Sequence, residues 1–309
     1  MKQVHPRRAR SSRQSIGVRR LTRRGGWIAA LLALSGCSPA ALLNSASRLG
    51  GDSARLAANG EAFGPDARHR LDVWVPRGAG APLPPKPLPV VIFFYGGGWV
   101  MGNRGDYGFA GRAFAAQDFV AIVPDYRLVP GTRFPGFIED GALAVKWARD
   151  NAGRFGGDPR RISLAGHSAG AYIAAMLALD RHYLADIGVD PKVVRAAAVL
   201  SGPYDFYPFS EQRGRDALGK WPRPLETQPI SFARADAPPL LLIHGGADTI
   251  ARPYNSQRLA ERLAGLGAPV TLRLYPGKSH VDTVKSLSPL FRGATPALAD
   301  SAAFLKANS

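Results

Sequence analysis

Short apolar runs of strand length recur along the chain: Leu71–Val75, Val90–Tyr95, Phe119–Val123, Ile162–Ala165, Ala196–Leu200, Leu240–His244 and Val270–Tyr275. The first alternates apolar and polar positions, as a half-buried strand does. The middle runs are apolar at successive positions, as strands covered on both faces are. Stretches of helical length separate most of them. Phe137–Arg149 sets Ile138, Leu143, Val145 and Trp147 among polar residues, and Ala169–Leu179 is almost wholly apolar and reads as a buried helix. Tyr254–Leu266 and Pro296–Lys306 are amphipathic. This alternation predicts an α/β fold, a mostly parallel sheet of about eight strands flanked by helices. Six prolines between Pro76 and Pro89 mark a surface loop. Residues 203–237, rich in proline, arginine and aromatics, interrupt the alternation. They read as a short cap insertion over the carboxyl edge of the sheet. Residues 38–66 are small and polar and read as a tether with a short helical lead-in.

Composition sharpens this picture. The 309 residues are 46% hydrophobic and 20% charged, which excludes a disordered polyelectrolyte and a multi-span membrane protein. A single cysteine excludes an internal disulfide framework and a cysteine-rich zinc site. The net charge of +17 points toward nucleic acid until its distribution is seen. Residues 1–36 hold nine basic side chains and no acid, which leaves 31 basic against 23 acidic residues, +8, for the remainder. After Arg24 comes the apolar Trp27–Leu34 and then Ser35-Gly36-Cys37, the layout of a secretory signal. The apolar run is less than half the roughly twenty residues that a spanning helix needs. Leu34-Ser35-Gly36-Cys37 resembles the bacterial lipobox. The resemblance implies removal of residues 1–36 as a lipoprotein signal peptide and lipidation of Cys37. It leaves a lipidated tether over 37–66 and a folded domain over 67–309. Ser38 after the cysteine, where Asp would retain a lipoprotein in the inner membrane, implies an exported protein facing the periplasm, outer membrane favoured. With the signal goes the strongest basic cluster, so a nucleic-acid partner is not expected.

The candidate chemistry lies at strand ends. Gly166-His167-Ser168-Ala169-Gly170 follows one predicted strand and opens a predicted helix, the context of a nucleophile elbow. The turn is tight enough to need glycine on both flanks. It would hold the Ser168 hydroxyl over a helix N-terminus, where N–H groups stabilise an oxyanion. Serine needs a base, and in this chain order the base follows it. After Ser168 come His182, at the end of the following helix; His244, at a strand tip; and His280, in a loop after the last strand. His280 is the expected base. Asp248 is its expected orienting carboxylate, with Asp282 and Asp205 as rivals. Tyr95-Gly96-Gly97-Gly98-Trp99 also follows a strand, and its glycines allow close backbone approach to a substrate.

Three further motifs carry a family resemblance. The chain reads Tyr95-Gly-Gly-Gly-Trp99, Asp125-Tyr-Arg-Leu-Val-Pro130 and Phe155-Gly-Gly-Asp-Pro-Arg-Arg-Ile162 ahead of the elbow. It is similar over about residues 68–307 to α/β-hydrolases of the hormone-sensitive-lipase-like and carboxylesterase type. Gly277-Lys-Ser-His-Val-Asp282 and Pro289-Leu-Phe-Arg-Gly293 most resemble the prenylcysteine-methylesterase and kynurenine-formamidase-like subgroup. The resemblance implies a Ser168, Asp248, His280 triad and an oxyanion hole built from the amides of Gly97, Gly98 and Ala169. It implies hydrolysis of small carboxylic esters through an acyl-enzyme, with no metal and no organic cofactor, while the lipobox implies membrane association through a lipid anchor at Cys37. Tyr95 replaces the family's usual histidine, a residue that orients the glycine loop. Asp125, Tyr126 and Arg127 match supporting structure behind that loop. Aromatics at Trp99, Tyr107, Tyr204 and Phe206 would suit an aryl or hydrophobic acyl group if they line the site. Two other readings use the same fold: an aryl-formamidase-like amide hydrolase, and a non-catalytic envelope binding protein. The intact serine, aspartate and histidine set argues against the second.

Overall fold

The computed structural model describes residues 1, 38–78 and 86–309. The expected signal and Cys37 fall in residues 2–37, and the middle of the proline-rich loop in 79–85, all outside the described residues. Residues 38–309 form one compact unit. Among the described residues no helix is long and apolar enough to cross a membrane.

The core is an eight-stranded sheet. Its strands are β1 (Ala54–Ala62), β2 (Arg70–Pro76), β3 (Leu88–Phe94), β4 (Val120–Pro124), β5 (Gly157–His167), β6 (Val194–Leu200), β7 (Leu240–Gly245) and β8 (Val270–Tyr275). Their spatial order is β1-β2-β4-β3-β5-β6-β7-β8. β1 with β2 and β2 with β4 run antiparallel, and every other neighbouring pair is parallel. β4 and β7 are buried at every position, so helices must cover both faces, as the apolar runs implied. The long helices are α3 (Gly136–Asn151), α4 (Ala169–Leu179), α7 (Tyr254–Gly265) and α9 (Ala297–Ala307), with the single-turn α5 (His182–Ala185) and α8 (Asp282–Lys285) in the connections. α4 is buried at all of its positions.

The segment read as a tether is instead part of the folded body. Ser38 caps α1 (Pro39–Ser47), its Oγ accepting from the Ala41 amide at 3.0 Å and donating to Asp106 at 2.6 Å. The Asn44 side chain donates to the Gly105 carbonyl at 2.6 Å and accepts from Arg112 at 2.7 Å. β1 then pairs along β2 as an edge strand, with register shifts near Ala58. This stretch is held by hydrogen bonds more than by apolar burial, so its hydropathy resembles a linker's. A further helix, α2 (Gly108–Ala115), was not expected; it is buried throughout, with Trp74 packed against Gly111. The insertion 203–237 carries α6 (Gln212–Leu218) and covers the carboxyl edge, with Phe206 stacked on Trp99 at 6.3 Å between ring centroids.

Close backbone packing fixes α4 against the sheet. A methyl group at Gly170 would lie 2.1 Å from the Phe94 carbonyl oxygen, whereas one at Gly153 meets nothing within 4 Å. Gly170→Ala is therefore expected to destabilise the fold by ~1–3 kcal/mol or more, and Gly153→Ala to change it by less than about 1 kcal/mol. Urea denaturation of the two variants checks this; equal midpoints would contradict it.

Candidate active site

Ser168 is the single residue between β5 and α4, and it adopts φ 55°, ψ −119°. That is unfavourable backbone for a residue with a Cβ, and the surroundings enforce it. A methyl group at Gly166 would lie 2.5 Å from the Gly170 carbonyl oxygen, so neither flank admits a side chain. The Ser168 amide donates to the Leu200 carbonyl at 2.9 Å, which ties the turn to β6. The Ala169 amide stands at the start of α4, where a helix has no internal acceptor for it. The Ser168 hydroxyl makes no hydrogen bond to any described residue.

The glycine loop runs beside this turn. A methyl group at Gly96 would lie 3.2 Å from Ser168 Cβ and 2.8 Å from His167 Nδ1. Gly97 (φ 137°) and Gly98 (φ 60°) take conformations that favour glycine. The Gly97 carbonyl accepts from the Val100 and Met101 amides, while the Gly97 and Gly98 amides donate to no described backbone carbonyl. Tyr95 anchors the loop from behind. It is fully buried and stacked on Tyr126 and Tyr107, at 4.6 and 5.3 Å. Its hydroxyl donates to Asp125 at 3.0 Å and accepts from Arg68 at 2.9 Å. The Arg104 amide and guanidinium both reach Asp125 at 2.7 Å, and the Tyr126 hydroxyl donates to the Tyr95 carbonyl at 2.9 Å. Burial, reinforced by the Asp125 charge, drives the Tyr95 phenol far above its ordinary range, so it stays neutral. Arg127 belongs to another network, paired with Asp140 at 2.7 Å.

His280 and Asp248 meet as expected. His280 Nδ1 lies 2.7 Å from Asp248 Oδ2, and both side chains are buried. The other Asp248 oxygen accepts from the Ile250 and Ala251 amides at 2.8 and 3.0 Å. Burial alone would raise the Asp248 carboxyl. The His244 and His280 rings beside it and the Ala251 amide outweigh that and hold it far below the usual carboxylate range. The rival carboxylates are engaged elsewhere. Asp282 accepts from the Ser279 amide and hydroxyl, and Lys285 with those bonds holds it down to about 2. Asp205 pairs with Arg258 at 2.8 Å. His182 is half exposed and bonded to Asp180.

Two histidines that sequence reasoning passed over support the pair. His167 is fully buried, and its Nε2 donates to the His280 carbonyl at 3.0 Å; the two rings lie 4.8 Å apart. Thr283 donates to the same carbonyl at 3.1 Å, so the backbone of His280 is held from two sides. His244 Nε2 lies 3.2 Å from Asp248 Oδ2, poorly aligned for a hydrogen bond, while its Nδ1 meets Ser256 Oγ at 2.7 Å. The position of His244 four residues before Asp248 was the available signal, but a strand-tip histidine reads equally as core. Ser168, Asp248 and His280 thus share one edge of the sheet, with the Ala169 amide directly after the serine and the glycine loop beside it at Gly96. A groove of about 620 Å³ lined by Asp66, His69, Arg127, Glu139 and His182 involves none of these residues.

Comparison with known proteins decides the family. The sequence matches the BD-FAE family over residues 71–263, well over half of the chain. The chain belongs to the BD-FAE family. Among curated proteins, Esterase LipC of Mycobacterium tuberculosis is 35% identical over 240 residues, covering 71% of this chain and 58% of the relative. Isoprenylcysteine alpha-carbonyl methylesterase ICME of Arabidopsis thaliana is 29% identical, covering 71% and 55%. The chain spans a little over half the length of these curated relatives. Among solved structures, a truncated carbohydrate esterase from gut microbiota superposes with a TM-score of 0.69 at 22% identity, over 83% of this chain and 97% of that one. Apo esterase 2 of Thermogutta terrifontis gives 0.65 at 23%, over 82% and 92%. At these identities the structural likeness speaks for the fold, which is that of the α/β-hydrolases.

The buried elbow histidine has its own signature. Burial and the adjacent His280 ring push the His167 imidazole down to about 3. In the unfolded chain it titrates near about 6.5. Its contribution to stability is therefore complete above about pH 6.5 and is lost as pH falls toward 3. NMR titration, with the signal assigned through His167→Gln, should show no imidazole protonation of His167 above about pH 4; a midpoint near 6.5 would overturn this.

Proposed function

We propose that the protein is a serine hydrolase of small carboxylic esters acting through Ser168, His280 and Asp248. The observation that carries the reading is the buried 2.7 Å pair of His280 and Asp248, placed on the same edge as a serine forced into a left-handed turn. The esterase names of its relatives support the same chemistry. His280 Nε2 takes the Ser168 proton as Oγ attacks the ester carbonyl. The contact between such a serine and its base commonly tightens only with substrate bound. The amides of Gly97, Gly98 and Ala169 receive the oxyanion. Collapse expels the alcohol, which leaves with the proton held by His280. Water then attacks the acyl carbon as it gives a proton to His280, and collapse breaks the bond to Ser168 Oγ, which takes that proton back from His280 as the carboxylic acid is released. Asp248 fixes the Nδ1–H tautomer of His280 and stabilises the imidazolium.

The purified full chain is expected to hydrolyse p-nitrophenyl acetate or butyrate. Ser168→Ala and Asp248→Asn should each lower kcat by roughly 10³-fold or more. A correctly folded wild type inert to esters and to formanilides would leave only the binding-protein reading. Turnover of formanilides without esters would favour the amidase reading.

The anchor reading rests on the lipobox and on the uniqueness of Cys37. It places the protein in the bacterial envelope, facing the periplasm. Metabolic labelling with a palmitate analogue should mark the wild type and not Cys37→Ser; equal labelling would refute lipidation at this residue.

A further inference from the structure

The cap places an unpartnered cation on the glycine loop. Arg213 lies in α6, and its side chain crosses Gly98: a methyl group at Gly98 would sit 2.7 Å from Arg213 Cδ and 3.3 Å from its Nη1. Gly98 is two residues along the loop from Gly96, which borders Ser168. The guanidinium is exposed and has no hydrogen bond and no ion pair among the described residues. Most other charged groups of the insertion are occupied; Lys220, like Arg213, is exposed and has no hydrogen bond or ion pair among the described residues. Asp205 pairs with Arg258, Glu226 with Arg223, and Asp236 with Arg181 and Arg234. The Asp216 side chain accepts from Gln212. Glu211 is exposed and lies two residues before Arg213, a spacing at which helical side chains do not face each other. The backbone of α6 is fixed to the body. The Phe134 amide donates to the Ala217 carbonyl at 2.9 Å, and the Arg133 side chain donates to the Asp216 carbonyl at 3.0 Å. Arg215 donates to the Phe209 and Ser210 carbonyls. A guanidinium whose stem is seated and whose donors are free presents a planar fork that matches a carboxylate.

We propose that Arg213 determines specificity by selecting esters that carry a carboxylate a few bonds from the scissile carbonyl. The inference rests on the esterase reading and adds a substrate class to it. The carboxylate would accept two hydrogen bonds from Arg213 while the ester carbonyl sits over Ser168. The excess of basic residues beyond the signal favours approach of such a substrate.

The test compares kcat/KM for p-nitrophenyl hemiglutarate with that for p-nitrophenyl valerate, a neutral ester of similar length. A second pair, 4-acetoxybenzoate and phenyl acetate, puts the charge on the alcohol side. The wild type should favour the anionic member of at least one pair by roughly tenfold at low salt, and the preference should shrink in 0.5 M salt, roughly as screening requires. Arg213→Gln should erase that ratio, chiefly through KM, and Arg213→Lys should keep part of it. Equal loss on both members, with the ratio unchanged, would show that Arg213 only supports the loop and would overturn the proposal. A wild type without preference in either pair would also overturn it. Absence of all ester turnover would instead sink the underlying esterase reading.

Discussion

Much of the site depends on one close approach: the N-terminus of α4 pressed against the end of β3. Gly170 meets the carbonyl groups of Phe94 and Tyr95 at distances that leave no room for a Cβ. Gly166 in turn packs against the backbone of Gly170 and Ala171, leaving no room for a Cβ of its own. With both glycines committed, the intervening Ser168 has only left-handed backbone available, and its side chain is delivered to the edge of the sheet. The same approach brings the loop after β3 alongside that serine, because Tyr95 and Gly96 continue directly from the contact. A serine in strained backbone, a helix N-terminus and a loop with free amides are consequences of a single packing constraint.

Around that constraint the protein arranges two buried polar systems of different character. Behind the loop, Asp125 collects Tyr95, Arg68 and Arg104, and the neutral phenol lets the loop be tied down without a titrating group in it. Tyr95 ties the loop to Asp125 and gains stacking against Tyr107 and Tyr126. In front, Asp248 is surrounded by imidazoles and amides. Removing a carboxylate from water is unfavourable on its own, and here directed hydrogen bonds exceed that penalty. The ring of His167 acts on neither carboxylate; it holds the backbone of His280 in place, from a position one residue before the serine.

The legible parts of the fold were those whose sequence pattern and structural cause are the same thing. β4 and β7 are buried on both faces, and their apolar runs say so. Ala169–Leu179 is apolar because all of its positions are covered. β1 reads as tether, and α1 only as a short helical lead-in to it, because an edge strand with mixed exposure and a small helix held by Ser38, Asn44 and Ser47 hydrogen bonds leave little apolar signal. α2 was hidden for another reason: its glycines look like loop, yet Gly111 is small because Trp74 packs on it. The same limit applied to His167 and His244, whose roles come from partners 113 and 4 residues away, a carbonyl and a carboxylate that only the fold sets beside them.

By itself the sequence determined the α/β class, the strand-turn-helix setting of Ser168 and the glycine loop, and it narrowed the candidate base to His280 and the candidate carboxylate to Asp248, Asp282 or Asp205, because each is written in local spacing or in chain order along alternating strands and helices. Tertiary structure decided which carboxylate faces His280, what supports Tyr95, that residues 38–62 belong to the sheet body, and that the Arg213 side chain lies across Gly98. Those are contacts between segments far apart in the chain. Their energies depend on burial and on distances of about 3 Å, quantities that a linear pattern of residues does not contain.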